Sequence, residues 1–174
     1  MTEPLILGVD PGSKWCGLVL VRGRDGLVGW DLLERSGDQS LKVWVEECLD
    51  AVQRIRWPMG RSHSALGEAL GPWTVAVEAV TTPKSHINGK LRINSPESLI
   101  GTAAVMGAFI AWAATEGFPC VIVPPGNGSG RREGYPPELW GAREGPAGTG
   151  KLNHVRSAYD VALVARTMLR RVGA

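Results

Sequence analysis

The stretch LILGVDPGSKWCGLVLV, residues Leu5–Val21, places a carboxylate between two apolar runs. Leu5–Val9 and Cys16–Val21 are short and continuously apolar, which predicts two buried β-strands. The Pro-Gly dipeptide between them predicts a turn, so Asp10 falls at the tip of the first strand. Because a buried, unpaired carboxylate is costly, Asp10 is the first candidate functional residue.

Strands and helices alternate in the rest of the chain. Short turns around Gly23 and Gly26 join the first strands to a third, which predicts an antiparallel meander. The full order is β-β-β-α-β-α-β-α, with later elements near Leu27–Leu33, Ser40–Arg56, Trp73–Val80, Ser95–Glu116, Pro119–Val123 and Asn153–Arg171. This order predicts an α/β fold: a mixed five-stranded sheet, an antiparallel three-strand meander plus parallel strands, with helices on both faces. We expect a single domain over residues 1–174, with flexible loops at about 80–95 and 126–150.

Composition excludes several classes of protein. The formal net charge of the 174 residues is only +2, so total charge alone does not predict a nucleic-acid partner. The three cysteines are far apart and form no CxxC pair, which argues against a zinc site or a disulfide framework and favours a reducing compartment. We expect no secretory leader. The apolar stretch Leu99–Thr115 is slightly short for a membrane span and reads as a buried helix, so a cytoplasmic protein is predicted.

Two further acids share the features of Asp10. Glu78 lies near the end of the otherwise apolar strand WTVAVEAV, and Asp160 lies at the edge of the apolar face of the last helix. If the Asp10 and Glu78 strands are parallel neighbours, both acids meet at one sheet edge, where a divalent cation such as Mg²⁺ or Mn²⁺ would relieve their repulsion. Each acid also has a simpler interpretation: Asp10 shaping its turn, Glu78 a solvated strand end, and Asp160 pairing with Arg156 one turn back.

The segments LGVDPGSKWCGL, VAVEAV and HVRSAYDVALVA occur in an order that resembles the RuvC family of Holliday junction resolvases, within the ribonuclease H-like superfamily. Within that family, the segments resemble those of small phage- and actinobacteria-type members. The resemblance spans nearly the whole chain, and the triple is more specific than the first motif alone, which actin-like ATPases and sugar kinases share.

The resemblance implies a divalent-metal-dependent endonuclease that cleaves four-way DNA junctions in recombination and repair, with two Mg²⁺ or Mn²⁺ ions and no organic cofactor. Asp10 would bridge the ions, with Glu78 and Asp160 as flanking ligands. The family has an acid or a histidine three residues before the last aspartate, whereas this chain has Ser157, so ligation of the second ion is an open question. His154, one turn earlier, would act through water or at the scissile phosphate, or would simply be exposed.

Positive residues near these acids are expected to hold the DNA backbone. The loop after Glu78 carries basic side chains and no acid, and in the family it reaches into the junction. The expected nucleic-acid contacts are Lys84, His86, Lys90, Arg92, Arg131, Arg132 and Arg156. A homodimer is expected because a four-way junction has near two-fold symmetry, and the small residues of the helix over Glu97–Glu116 would suit either a dimer contact or packing on the sheet.

Three other functions compete with this hypothesis. An actin-like ATPase fragment would need a second phosphate-binding glycine motif and a second lobe, both of which this sequence lacks. Another ribonuclease H-like nuclease, acting on RNA–DNA hybrids or other branched DNA, would share the same fold and metal ligands. A non-catalytic junction-binding protein is favoured by one feature, the serine at position 157.

Overall fold

The chain forms one five-stranded sheet with helices on its two faces. The structure, a computed structural model, describes residues 4–23, 26–56, 73–80, 86–87, 90–91, 95–126, 134–140 and 151–172. The sheet strands are β1 (Leu5–Asp10), β2 (Trp15–Arg22), β3 (Gly26–Glu34), β4 (Trp73–Glu78) and β7 (Cys120–Val123). The helices are α1 (Leu41–Arg56), α2 (Pro96–Thr115) and α3 (Asn153–Val172).

The strand order is β3-β2-β1-β4-β7, so the N-terminal strand lies at the centre of the sheet. β1 pairs antiparallel with β2, and β2 pairs antiparallel with β3, which forms the predicted meander. β1 and β4 are parallel, as are β4 and β7. The predicted fold class is therefore confirmed, and the carboxyl ends of β1, β4 and β7 lie at one edge of the sheet.

Each face of the sheet has its own apolar core. Alternate residues of β1 divide between the faces: Leu5, Leu7 and Val9 pack with α1 and α2, whereas Ile6 packs with α3. This division follows from the period-two alternation of side chains along a strand. All of these β1 side chains are buried, which explains why the strand reads as continuously apolar.

Helix α3 crosses β1 and β2 at very short range. A Cβ atom on Gly17 would lie 2.2 Å from the His154 carbonyl oxygen, and one on Gly8 would lie 2.0 Å from the Ala158 oxygen. Only glycine permits this approach, because a Cβ atom at either position would overlap the helix backbone. The two glycines thereby allow the backbone of α3 to pack directly on the strands at His154 and Ala158.

Local signals mark both ends of the second helix as expected. The Ser95 hydroxyl accepts a hydrogen bond from the Ser98 backbone N–H at 3.2 Å, and Pro96 occupies the first turn. Gly117, which follows the C-cap residue Glu116, has a φ of 73°. By length and composition, α2 is the one helix among the described residues that could cross a membrane. Its buried side, which includes Val105 and Phe109, packs against the sheet.

Two elements were not predicted. The loop expected over residues 80–95 contains a short antiparallel hairpin, β5 (His86–Ile87) and β6 (Lys90–Leu91). An Asn-Gly dipeptide joins these strands in the sequence, and that pair is a strong hairpin signal. In the loop expected over 126–150, Pro137–Leu139 form a 3₁₀ turn in which Leu139 is fully buried.

Candidate active site

Asp10 and Glu78 occupy matching positions at the ends of neighbouring parallel strands. Val9 of β1 is in register with Val77 of β4, and each acid is the next residue of its strand. The two carboxyl groups are near enough for Glu78 to raise the pKa of Asp10. The pairing predicted from the two strand ends is thus observed.

The Asp10 carboxyl group is mostly buried, with 15% of its side chain exposed. Burial is the main reason that its pKa rises to about 6, and the charge of Glu78 adds to the shift. His154 opposes the shift, because its Nδ1 lies 2.9 Å from Asp10 Oδ2. Asp10 is therefore an acid whose ionised form is stabilised by His154 and destabilised by burial and by Glu78.

Glu78 is held from two sides. The Ser157 hydroxyl donates to Glu78 Oε2 at 3.0 Å, and the backbone N–H of Gly126 donates to Oε1 at 3.0 Å. Gly126 has a φ of 108°, a conformation that residues with a side chain rarely adopt. Sequence reasoning missed this donor, although a glycine three residues beyond a strand next to β4 is a signal that could have suggested it.

The turn after Asp10 is held by α1 and α2, the two helices on the face of the sheet opposite α3. The indole N–H of buried Trp44 donates to the Gly12 carbonyl at 3.0 Å, and the Ser13 and Ser98 hydroxyls are hydrogen-bonded at 3.0 Å. A pocket of about 210 Å³ opens between this turn, Glu78 and α2. Its lining residues are Pro11, Glu78, Ala79, Val80, Leu99, Thr102 and Pro125.

Asp160 has a different environment from the other two acids. It lies one helical turn beyond Ser157 on α3, and its Oδ2 accepts a 2.7 Å hydrogen bond from the Tyr135 phenol. Within the ranges that the structure describes, no three His, Cys, Asp or Glu side chains are grouped so that they could hold a metal ion. Helix α3 instead brings His154 to Asp10 and Ser157 to Glu78, so metal ligation by Asp160 stays a prediction.

Arg156 was expected to contact nucleic acid, and its position contradicts this. The side chain is fully buried. Its Nε donates to the Leu139 carbonyl and its NH2 group to the Trp140 carbonyl, both at 3.0 Å. The guanidinium also lies 5.9 Å from the centre of the Tyr135 ring. Arg156 anchors the segment 134–140 to α3, a role that the one-turn spacing to Asp160 did not reveal.

The bond between Tyr135 and Asp160 gives a testable prediction. Tyr135→Phe removes a hydroxyl that donates to a carboxylate, and hydrogen bonds to charged groups contribute about 1.5–3 kcal/mol. We expect the free energy of unfolding, measured in urea at pH 7, to fall by about 2 kcal/mol. A loss below about 0.5 kcal/mol, the range of ordinary surface substitutions, would contradict the account.

The other expected DNA contacts are not placed. Lys84, Arg92, Arg131 and Arg132 lie outside the described residues. His86 and Lys90 lie at opposite ends of the β5–β6 hairpin, of which only the backbone is described.

Comparison with known proteins supports the fold. No family model and no curated protein matches the chain. Two solved structures of RuvC from Thermus thermophilus do match. The one in complex with a Holliday junction substrate has a TM-score of 0.61 and 18% identity, covering 97% of this chain and 96% of that one. The other has a TM-score of 0.57 and 19% identity, covering 96% of each chain. The resemblance predicted from three sequence segments is confirmed at the level of the backbone: this chain has a RuvC-like, ribonuclease H-like fold.

Proposed function

We propose that the protein is a metal-dependent endonuclease that cleaves four-way DNA junctions by phosphodiester hydrolysis. The observation that carries the proposal is the pair Asp10 and Glu78 at adjacent strand ends of a RuvC-like fold. One of the two similar structures holds a Holliday junction substrate. We further propose that residues 1–174 act as one nuclease domain in the cytoplasm, in DNA recombination and repair.

The donor atoms at the site fit one divalent cation. Two adjoining carboxylates repel, burial destabilises the ionised form of Asp10, and a hard cation between them would offset both effects. Oxygen ligands of this kind suit Mg²⁺ or Mn²⁺. A second ion, held with help from Asp160, His154 or Ser157, is part of the proposal by resemblance alone.

Bound divalent ions in nucleases activate water and stabilise the leaving oxygen. The chain's own residues orient the acids. His154 fixes the rotamer of Asp10, while Ser157 and the Gly126 N–H fix both oxygens of Glu78. These bonds hold the carboxylates before DNA arrives, which lowers the ordering cost at the moment of reaction.

The proposed DNA contacts are the basic residues of the two segments that flank the site: Lys84, His86, Lys90, Arg92, Arg131 and Arg132. Arg156 is not one of them, because its side chain is buried.

We also propose a homodimer, since two symmetric cuts in a junction call for two sites. Light scattering on the purified protein, with and without four-way DNA, would test the dimer.

A cleavage assay tests the function. A synthetic four-way junction, a duplex of the same sequence and an RNA–DNA hybrid are each incubated with Mg²⁺, Mn²⁺ or a chelator. We expect paired nicks in the junction that require the metal. Degradation of the hybrid would favour a different ribonuclease H-like nuclease, and junction binding without nicks would favour a non-catalytic protein; either result would overturn the proposal.

A further inference from the structure

A charged aromatic surface lies beside the candidate site, on the side of Asp10 away from Glu78. Trp15 begins β2, five residues after Asp10, and its ring stacks on the imidazole of His154 with centroids 6.5 Å apart and an interplanar angle of 16°. The side chain is half-buried. Trp15 thus contacts the residue that holds Asp10. It is neither one of the proposed metal ligands nor part of the two segments proposed to contact DNA.

Two lysine ammonium groups lie over the same ring. Lys151 Nζ is 4.6 Å from the ring centroid and Lys14 Nζ is 5.8 Å from it. Both side chains reach solvent: Lys14 is exposed and the Lys151 side chain is 67% exposed. Lys151 also pairs with Glu34 at 3.1 Å. An ammonium over an indole face is a favourable arrangement, and here it keeps two cations next to a flat apolar surface.

Lys14 lines a groove beside the Trp15 ring, and Lys151 pairs with another residue of its lining, Glu34. The groove has a volume of about 650 Å³, and it is lined by Ser13, Lys14, Glu34, Arg35, Ser36 and Gly37. Arg35 donates twice to the Gln39 carbonyl, so it adds charge while its guanidinium is held by the protein. With Lys14, Arg35 and Lys151 against Glu34, the groove and its border carry a net positive charge.

We propose that Lys14, Trp15 and Lys151 form a binding surface for the DNA strand that flanks the cleaved phosphate. The inference rests on the proposed function and extends it to a contact on the other side of Asp10. Ammonium groups bind phosphates, and an indole face accepts a sugar or an unstacked base, which is the combination found in grooves for single strands. His154 contacts both Trp15 and Asp10. This surface therefore lies where a bound strand would leave the site.

The test measures binding of labelled four-way DNA by fluorescence anisotropy, with chelator present so that no strand is cut. The double variant Lys14→Ala/Lys151→Ala should bind at least about tenfold more weakly at low salt. The slope of log affinity against log salt should fall by about 1.8, since each lost phosphate contact contributes roughly 0.9. Trp15→Leu should bind about tenfold more weakly, whereas Trp15→Phe should retain most of the affinity.

Matched variants separate this surface from general effects of charge and aromatic content. Lys42→Ala removes an exposed lysine of α1 and Trp30→Phe alters a tryptophan of β3 that is 38% exposed, and both should bind as the wild type does. Glu34→Gln removes the one acid among the described residues that line the groove and should tighten binding. If Trp15→Leu fails to fold, the exposed lysines and Glu34 decide the outcome.

Two failures are distinguishable. If the wild type binds and cuts the junction but the lysine pair and Glu34→Gln leave affinity and salt slope unchanged, this surface is not a DNA contact and the proposed function stands. If the wild type neither cuts the junction nor prefers it to duplex DNA, the proposed function fails, and the inference fails with it.

Discussion

Asp10→Asn is expected to abolish cleavage of four-way DNA and at the same time to stabilise the metal-free protein. The amide retains the shape of the carboxyl group and an oxygen that can accept from His154, but it cannot carry the negative charge that a divalent ion requires. Loss of metal-assisted catalysis should lower the rate on the order of 10³-fold or more. DNA binding should change little, because Asp10 contributes no positive charge.

The gain in stability follows from the raised pKa of Asp10. Its folded value of about 6 lies above the ordinary value of 3.8, so the native state binds the proton more tightly than the unfolded state does. Ionisation of this group therefore destabilises the fold increasingly between about pH 4 and pH 6, and fully above that range. A shift of about two units corresponds to roughly 3 kcal/mol, an upper limit for what Asp10→Asn recovers at pH 7.5.

Urea unfolding in the presence of a chelator measures this effect. Asp10→Asn should exceed the wild type in unfolding free energy by about 2 kcal/mol at pH 7.5 and by close to zero at pH 4. Asp50→Asn makes the same chemical change at an exposed position of α1 and should alter neither rate nor stability. Normal cleavage by Asp10→Asn, or an equal gain in stability at both pH values, would refute the role assigned to Asp10.

Arg156→Ala is expected to cost about 3–4 kcal/mol of unfolding free energy. The substitution leaves the buried Leu139 carbonyl and the partly buried Trp140 carbonyl without their guanidinium donor, and each unsatisfied buried group costs about 1–3 kcal/mol. It also removes the contact with the Tyr135 ring. The 3₁₀ turn and the Tyr135–Asp160 bond should loosen together, because one side chain anchors the whole segment to α3.

Arg170→Ala is the matched control, since Arg170 is an exposed arginine on the same helix. Its unfolding free energy should stay within about 0.5 kcal/mol of the wild type. At a temperature where Arg156→Ala remains folded, its affinity for four-way DNA should equal that of the wild type. A stable Arg156→Ala variant with weakened DNA binding would restore the nucleic-acid role that burial argues against.

The fold was predictable because its signals are local. Continuous apolar runs such as Leu5–Val9 mark strands buried on both faces, and Ser95 with Pro96 marks a helix start, so element order alone led to the mixed sheet. The β5–β6 hairpin was missed because its strands are only two residues long and lack apolar alternation.

The site was predictable only in part, because helix position depends on long-range packing. Parallel pairing of β1 and β4 follows from the topology and brings Asp10 to Glu78. Which turn of α3 reaches them depends on how deeply α3 seats against Gly8 and Gly17. That seating presents His154 and Ser157 at the strand ends and places Asp160 beside Tyr135, an arrangement that helical spacing in the sequence does not determine.

A crystal of the protein soaked in Mn²⁺ and measured at the manganese absorption edge would reveal whether Asp10 and Glu78 hold a cation between them. We expect an anomalous peak bound by carboxylate oxygens of both Asp10 and Glu78, and its loss in Glu78→Gln. A soaked crystal with no peak between these two acids, or with manganese bound only elsewhere, would contradict the proposal that this pair holds the catalytic ion.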